Sequence, residues 1–287
     1  MKFGIYRLRE PLDPDALAAI ERACGRPIDL ISVYRAWNRC DIVDDRIWLS
    51  KLKSSCHDIL LTWEPWRPAA GGAKASEQPA FSLKRIADGH YDDYIRDFGR
   101  SLSGFSRTIY LRPMHEMNGN WYPWCGPVNE NSAKLYIRAW RHLHQMVSKE
   151  TGAGLRWVWS PYAASFPDTA RNAMERYFPG EDVVDWLGLD GYNWGAAPQG
   201  AGWQSFAQIF HTAYHTLAAL SPKPMMVAET ACNEHGGDKA AWIRQALADV
   251  KSAYPRVRLL VWFDIDKECD WRMDSSPTTL SAFRRGS

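Results

Sequence analysis

The sequence predicts an α/β fold, a single-domain (β/α)8 TIM barrel, on three observations. Apolar runs alternate with helical patterns along the whole chain, the apolar runs number eight, and 287 residues exceed the roughly 250 that such a barrel occupies. The first run, at 2–8, precedes a helical pattern at 15–24 opened by aspartates. The second, at 30–37, leads to a helical pattern at 46–54, and the third, at 59–66, to one at 91–102. Runs four and five, at 108–114 and 155–161, bracket the long helical pattern 132–149. Run six covers 184–192 and is followed by a helix at 203–220. Run seven covers 225–229 and is followed by a helix at 239–254, and run eight, at 259–264, completes the series. β-Branched and aromatic residues fill these runs almost without polar alternation, as expected of parallel strands buried on both faces. A doubly wound open sheet is the rival arrangement, but no GxGxxG follows the first run.

The longest interruptions, 67–82 and the segments after Met114 and Tyr192, all follow strands, so in a barrel they wall the face at the strands' C-terminal ends. No linker composition divides the chain, and residues 1–287 read as one catalytic domain.

Lys and Arg number 35 against 33 Asp and Glu, a net charge of +2, which leaves no basic field to gather nucleic acid or an anionic membrane. A neutral partner is expected. The 15 Trp, with 12 Tyr and 10 Phe, exceed what core filling needs and fit either an aromatic-rich core or a groove that stacks flat ligands. The six cysteines show no CxxC and no Cys/His ligand spacing; they read as small buried hydrophobes, with one or two disulfides open in an oxidising compartment. The start is charged within its first ten residues and lacks a leader's apolar run. A soluble protein is expected, secreted or periplasmic if a leader has been removed and cytoplasmic otherwise.

Polar and aromatic residues collect where the strands end: Trp63, Glu64 and Trp66 after the third, Arg112 to Asn118 after the fourth, Asp190 to Trp194 after the sixth, Glu229 on the seventh and Trp262 to Asp264 on the eighth. Carboxylates at a barrel mouth among indoles are placed where desolvation can raise a pKa. Glycoside hydrolysis needs one protonated carboxyl and one ionised carboxylate. Glu116 and Glu229 fit those roles. HEMN lacks the second histidine of HExxH, so a catalytic zinc fails on spacing.

The segment RPMHEMNGNWYPW (112–124) resembles the acid/base segment of glycoside hydrolase family 26, whose usual form is RPxHEMN followed by GxW. WVWSP (157–161), YFPGEDVVDWLGLDGYNW (177–194) and VAET (227–230) follow in the expected order, so the resemblance covers essentially the whole barrel. It implies a retaining endo-hydrolase with Glu116 as acid/base after the fourth strand and Glu229 as nucleophile closing the seventh. Their carboxyl groups would lie about 5–5.5 Å apart. It also implies sugar contacts by His115 and Asn118, a sugar platform at Trp121, a hydrogen bond from Tyr192 to the nucleophile and charge support from Arg112. Glu64 binds sugar hydroxyls or pairs with a base. Of Trp63, Trp66, Trp124, Trp194 and Trp262, three are expected to touch substrate, and Trp63, Trp121, Tyr192 and Trp262 are expected to line an open groove.

The expected substrate is a neutral β-linked polysaccharide or oligosaccharide, either β-1,4-mannan or mixed-linkage β-glucan, with β-1,3-xylan a minority substrate of the family. The strand-three motif WEPW resembles the non-mannanase members. The protein is expected to act as a monomer without metal or organic cofactor. A non-catalytic carbohydrate-binding barrel and a transglycosylase acting on an exopolysaccharide are the rival functions.

Overall fold

In the computed structural model, which describes residues 1–7, 13–38, 40–68, 76–151 and 154–285, eight parallel strands close into a barrel in chain order. They are β1 (Lys2–Tyr6), β2 (Leu30–Ala36), β3 (Asp58–Glu64), β4 (Ile109–Pro113), β5 (Leu155–Trp159), β6 (Trp186–Asn193), β7 (Met225–Cys232) and β8 (Val257–Phe263). The expected single (β/α)8 barrel is the fold observed, and all eight apolar runs are strands. Leu8, the expected end of the first strand, and residues 69–75 of the long loop after the third lie outside the described residues.

The helices are α1 (Pro14–Cys24), α2 (Ile42–Leu52), α3 (Leu83–Ala87), α4 (Asp92–Ser101), α5 (Ala133–Ser148), α6 (Phe206–Leu220), α7 (Lys239–Ser252) and α8 (Pro277–Arg285). Their starts follow from side-chain caps that satisfy the first backbone N–H groups. Asp13, Asp41, Ser132 and Asp238 each accept from the turn that follows, and Ser205 and Gln208 cap α6 reciprocally. Gly25, with φ of 65°, ends α1 in the left-handed conformation that suits glycine. α2 begins at Ile42, four residues before the expected position, because Asp41 caps it; exposed Val43 and Ile47 interrupt the apolar stripe that would have shown its first turn. The short α3 and terminal α8 were not expected from periodicity. Between β5 and β6 the described residues hold only a 3₁₀ turn at Met174–Tyr177.

Contacts group the chain into two units, residues 33–187 and residues 1–32 with 188–287. In the first, Trp63 stacks on Phe98 of α4 at 4.3 Å and 7°, with Trp37 and Tyr94 against the pair. In the second, Phe206, Phe210, Trp242 and Tyr254 join α6 and α7, while Phe283 of α8 packs on Phe3 and Trp262. Here β8 pairs with both β1 and β7, and every residue of β7 is buried. Its register against β8 slips between Val227 and Thr230: three steps along β7 match the two from Leu260 to Trp262. The extra residue is a bulge, the device by which a strand re-aims a side chain, and Glu229 lies within it.

None of the six cysteines is bridged, and Cys24, Cys125 and Cys232 are buried. Among the described residues no helix is long and apolar enough to cross a membrane, and no three His, Cys, Asp or Glu side chains cluster as a metal site.

Candidate active site

Arg112 comes first in building the site after β4. It is wholly buried, and its Nε and Nη2 both donate to Thr62 Oγ1 of β3, at 3.0 and 2.7 Å, while Nη2 also donates to Tyr34 Oη at 3.3 Å. Beyond Pro113 the backbone turns left-handed twice, with φ of 49° at Met114 and 53° at Glu116. A non-glycine residue there costs of order 1–3 kcal/mol, so its surroundings must hold it. Tyr136 Oη donates to the Met114 carbonyl at 3.0 Å, the Glu116 N–H to the Ser160 carbonyl at 2.8 Å, and the Gly119 N–H to the Glu116 carbonyl at 2.9 Å. The clamped loop leaves the Glu116 side chain only 6% exposed, and the Trp121 indole donates Nε1–H to Glu116 Oε2 at 2.6 Å.

In the other unit, the bulge of β7 presents Glu229, 5% exposed, to the phenol of Tyr192, which donates to Glu229 Oε2. Tyr192 is fixed edge-on by Phe263 and tilted against Trp271, and Phe263 stacks on Tyr6 at 4.8 Å. Each carboxylate thus receives a hydrogen bond from an aromatic donor whose ring is itself packed. Such a donor fixes which carboxylate oxygen it engages.

His115 is buried among Tyr34, Tyr122 and Trp124. Burial, and then the Arg112 guanidinium, hold its pKa well below the usual histidine range, so the ring is neutral at ordinary pH. Glu64 is also buried and accepts from Trp66 Nε1 at 3.2 Å.

Four residues expected to contact substrate are buried and engaged by the protein itself. Trp63 points out of the barrel onto Phe98 and is 0% exposed. Trp262 likewise faces outward, between Trp242 and Phe283, with Nε1 donating to the Trp271 carbonyl. Trp124 is wholly buried, stacked on Tyr122 and donating to the His115 carbonyl at 2.6 Å, so it clamps the Glu116 loop instead of offering a ring to sugar. Asn118, 0% exposed, spends its amide on the loop after β5: Nδ2 donates to the carbonyls of Tyr162 and Ala164, and Oδ1 accepts from the Tyr162 N–H. Of the five tryptophans from which three contacts were expected, Trp66 and Trp194 alone are partly exposed.

Residue reading missed three aromatics. Phe263 holds the inward position beside Tyr192 that had been assigned to Trp262. Tyr162 and Phe166, on the loop after β5, pack against Trp121. Alternation along β8 gives the first: with Trp262 packed outward against Trp242 and Phe283, its neighbour Phe263 faces the opposite side. No sequence signal marked the other two.

A closed parallel barrel with one clamped carboxylate just beyond β4 and another within β7 belongs to the class of (β/α)8 barrels. Residues 90–253 match glycosyl hydrolase family 26. Endoglucanase H of Acetivibrio thermocellus is 31% identical over 293 residues, 99% of this chain and 30% of that protein. Mannan endo-1,4-beta-mannosidase A and B of Caldalkalibacillus mannanilyticus is 32% identical over 178 residues, 60% of this chain and 31% of that protein. The chain thus spans less than a third of either relative's length. The solved structure of a Cellulomonas fimi endo-beta-1,4-mannanase double mutant shares the fold, with a TM-score of 0.71 at 16% identity over 100% of this chain and 70% of that one. This chain belongs to glycosyl hydrolase family 26.

Proposed function

We propose that residues 1–287 act as one catalytic barrel, a retaining endo-glycoside hydrolase of a neutral β-linked polysaccharide, with Glu116 as acid/base and Glu229 as nucleophile. The observation that carries the reading is the pair of clamped carboxylates, Trp121 to Glu116 Oε2 and Tyr192 to Glu229 Oε2. Glu229, oriented by the Tyr192 hydrogen bond, attacks the anomeric carbon, and Glu116 delivers its proton to the departing glycosidic oxygen. Once the covalent glycosyl-enzyme has formed, the Glu116 carboxylate takes a proton from water, and the water oxygen displaces Glu229. Arg112 supplies charge support to the carboxylates, neutral His115 contacts sugar beside Glu116, and Trp66 and Trp194 are the partly exposed indoles assigned to sugar contact.

The similarity over 99% of this chain to a protein named endoglucanase, together with WEPW at the end of β3, favours a β-glucan. The similarity to a mannan endo-1,4-beta-mannosidase supports β-1,4-mannan as the second reading. Product analysis on lichenan, laminarin, mannan and β-1,3-xylan decides between them, with retained anomeric configuration expected by NMR. Glu229→Ala should abolish turnover of every substrate. Glu116→Ala should retain the first step on substrates with very good leaving groups, since those need little protonation. Equal loss on both substrate types overturns the assignment. Binding without turnover would make the barrel a carbohydrate-binding protein, and sugar acceptors outcompeting water would make it a transglycosylase.

A further inference from the structure

Trp121 reaches beyond Glu116. Its ring meets Tyr162 edge-on, with centroids 5.4 Å apart at 84°, and Phe166 at 5.7 Å and 55°; Tyr162 and Phe166 lie 6.0 Å apart. Trp121 and Tyr162 are half-buried, and Phe166 is 44% exposed, the one aromatic among the large hydrophobic residues most exposed in the described chain. Three rings thus form a shelf that begins at the acid/base carboxylate and ends in solvent.

The shelf is built in advance of any ligand. Asn118, two residues beyond Glu116, takes Phe166 N–H on its carbonyl at 2.8 Å, and its side chain binds the backbone at 162 and 164 and Ser165 Oγ. Asn172 donates to the same carbonyl at 2.7 Å and to the Pro167 carbonyl at 3.0 Å, and accepts from Tyr177 Oη at 2.7 Å. A loop without helix or strand is therefore tied at both ends to the segment that carries Glu116. An aromatic ring held rigid and left in water is an arrangement that binds at low ordering cost, and flat rings with polar edges suit the apolar face of a pyranose.

We propose that Trp121, Tyr162 and Phe166 form the platform for the sugar units on the leaving-group side of the cleaved bond. The inference rests on the glycosidase reading. Glu116 must touch the oxygen that leaves, so a surface continuous with its carboxylate through the Trp121 hydrogen bond lies alongside the leaving chain and not the sugar that bonds to Glu229. The occupant is a neutral hexose oligomer, since the three rings carry no charge.

The test compares two substrate types in Phe166→Ala and Tyr162→Ala: an aryl glycoside, whose leaving phenol carries no sugar, and the matching tetrasaccharide, which places sugar on both sides of the cut. The ratio of kcat/KM on tetrasaccharide to that on aryl glycoside should fall about tenfold in either variant, through KM. A merely structural role would lower both activities together and hold the ratio constant, which would overturn the platform. Turnover of aryl glycoside by the wild-type protein tests the glycosidase reading separately. If that turnover is absent, calorimetric titration of cellotetraose and mannotetraose still decides the platform: equal affinity in wild type and Phe166→Ala overturns it, and about tenfold weaker binding by the variant supports it.

Discussion

The hydrogen bond from Tyr192 to Glu229 is separate from the packing of its ring. Replacing Tyr192 by Phe keeps the contacts with Phe263 and Trp271 and removes the donor to Glu229 Oε2. A hydrogen bond to a charged acceptor is worth about 1.5–3 kcal/mol, so kcat of Tyr192→Phe should fall roughly 10- to 100-fold while the melting temperature moves little. Steady-state kinetics with a thermal melt checks this, and a fall in stability matching the fall in rate would make Tyr192 structural. At this scale the positions of Glu116, Glu229, Arg112, Trp121 and Tyr192 in or just beyond the strands were legible, because the unusual polar and aromatic residues of the sequence collect there. The tryptophans were not. A strand buried on both faces carries apolar residues at every position, so the alternation that separates inside from outside is absent, and Trp63 and Trp262 were assigned to the wrong side by one residue. Asn118 was misread for a different reason: a buried amide that braces a loop and an amide that meets sugar are the same residue in the same motif.

Among the elements, β6 and α6 approach closely at Gly191, where an added Cβ would fall 2.7 Å from Ile209 Cγ2 and 3.0 Å from Phe210 Cζ. Gly191→Ala should therefore push α6 outward and destabilise the protein by about 1–3 kcal/mol, read as a lower denaturation midpoint with an unchanged slope. Because Tyr192 is the next residue, kcat should fall as well. An unchanged midpoint would mean that α6 yields without loss. The eight strands and most helices were legible as alternating apolar runs and caps. α8 was not, since its nine residues carry too little periodic signal. The bulge in β7 was also invisible, because it is a mismatch between two strands and no single strand encodes it.

For the molecule as a whole, Asp264 ties the last strand to the first. Its N–H donates to the Tyr6 carbonyl, Oδ1 accepts from the Met273 N–H at 2.7 Å, and Oδ2 lies 3.3 Å from Arg7. Burial pushes its carboxyl up to about 6 from the 3.8 of an unperturbed aspartate, with Arg7 opposing. The folded state then holds the proton more tightly than the unfolded one. The resulting penalty is absent below about pH 3.8, grows as pH rises, and is complete above pH 6. The rise from 3.8 to about 6 corresponds to roughly 3 kcal/mol. Asp264→Asn keeps an acceptor for Met273 and removes the titration. The variant should gain melting temperature over wild type between pH 4 and pH 7.5, and a wild-type advantage that grows with pH would show the Arg7 pair to dominate. The single barrel was legible here because eight runs in 287 residues leave little room for another arrangement.

If Glu116 is the acid/base proposed above, its left-handed backbone sets activity against durability at a single codon. Glycine or asparagine would sit in that conformation with less strain, and either would remove the carboxyl group. Mutation that erodes this barrel's chemistry at position 116 is thus rewarded by a sturdier fold, so a lineage released from selection for turnover has a short downhill path to a stable carbohydrate-binding relic. Keeping a glutamate there requires that turnover itself be selected.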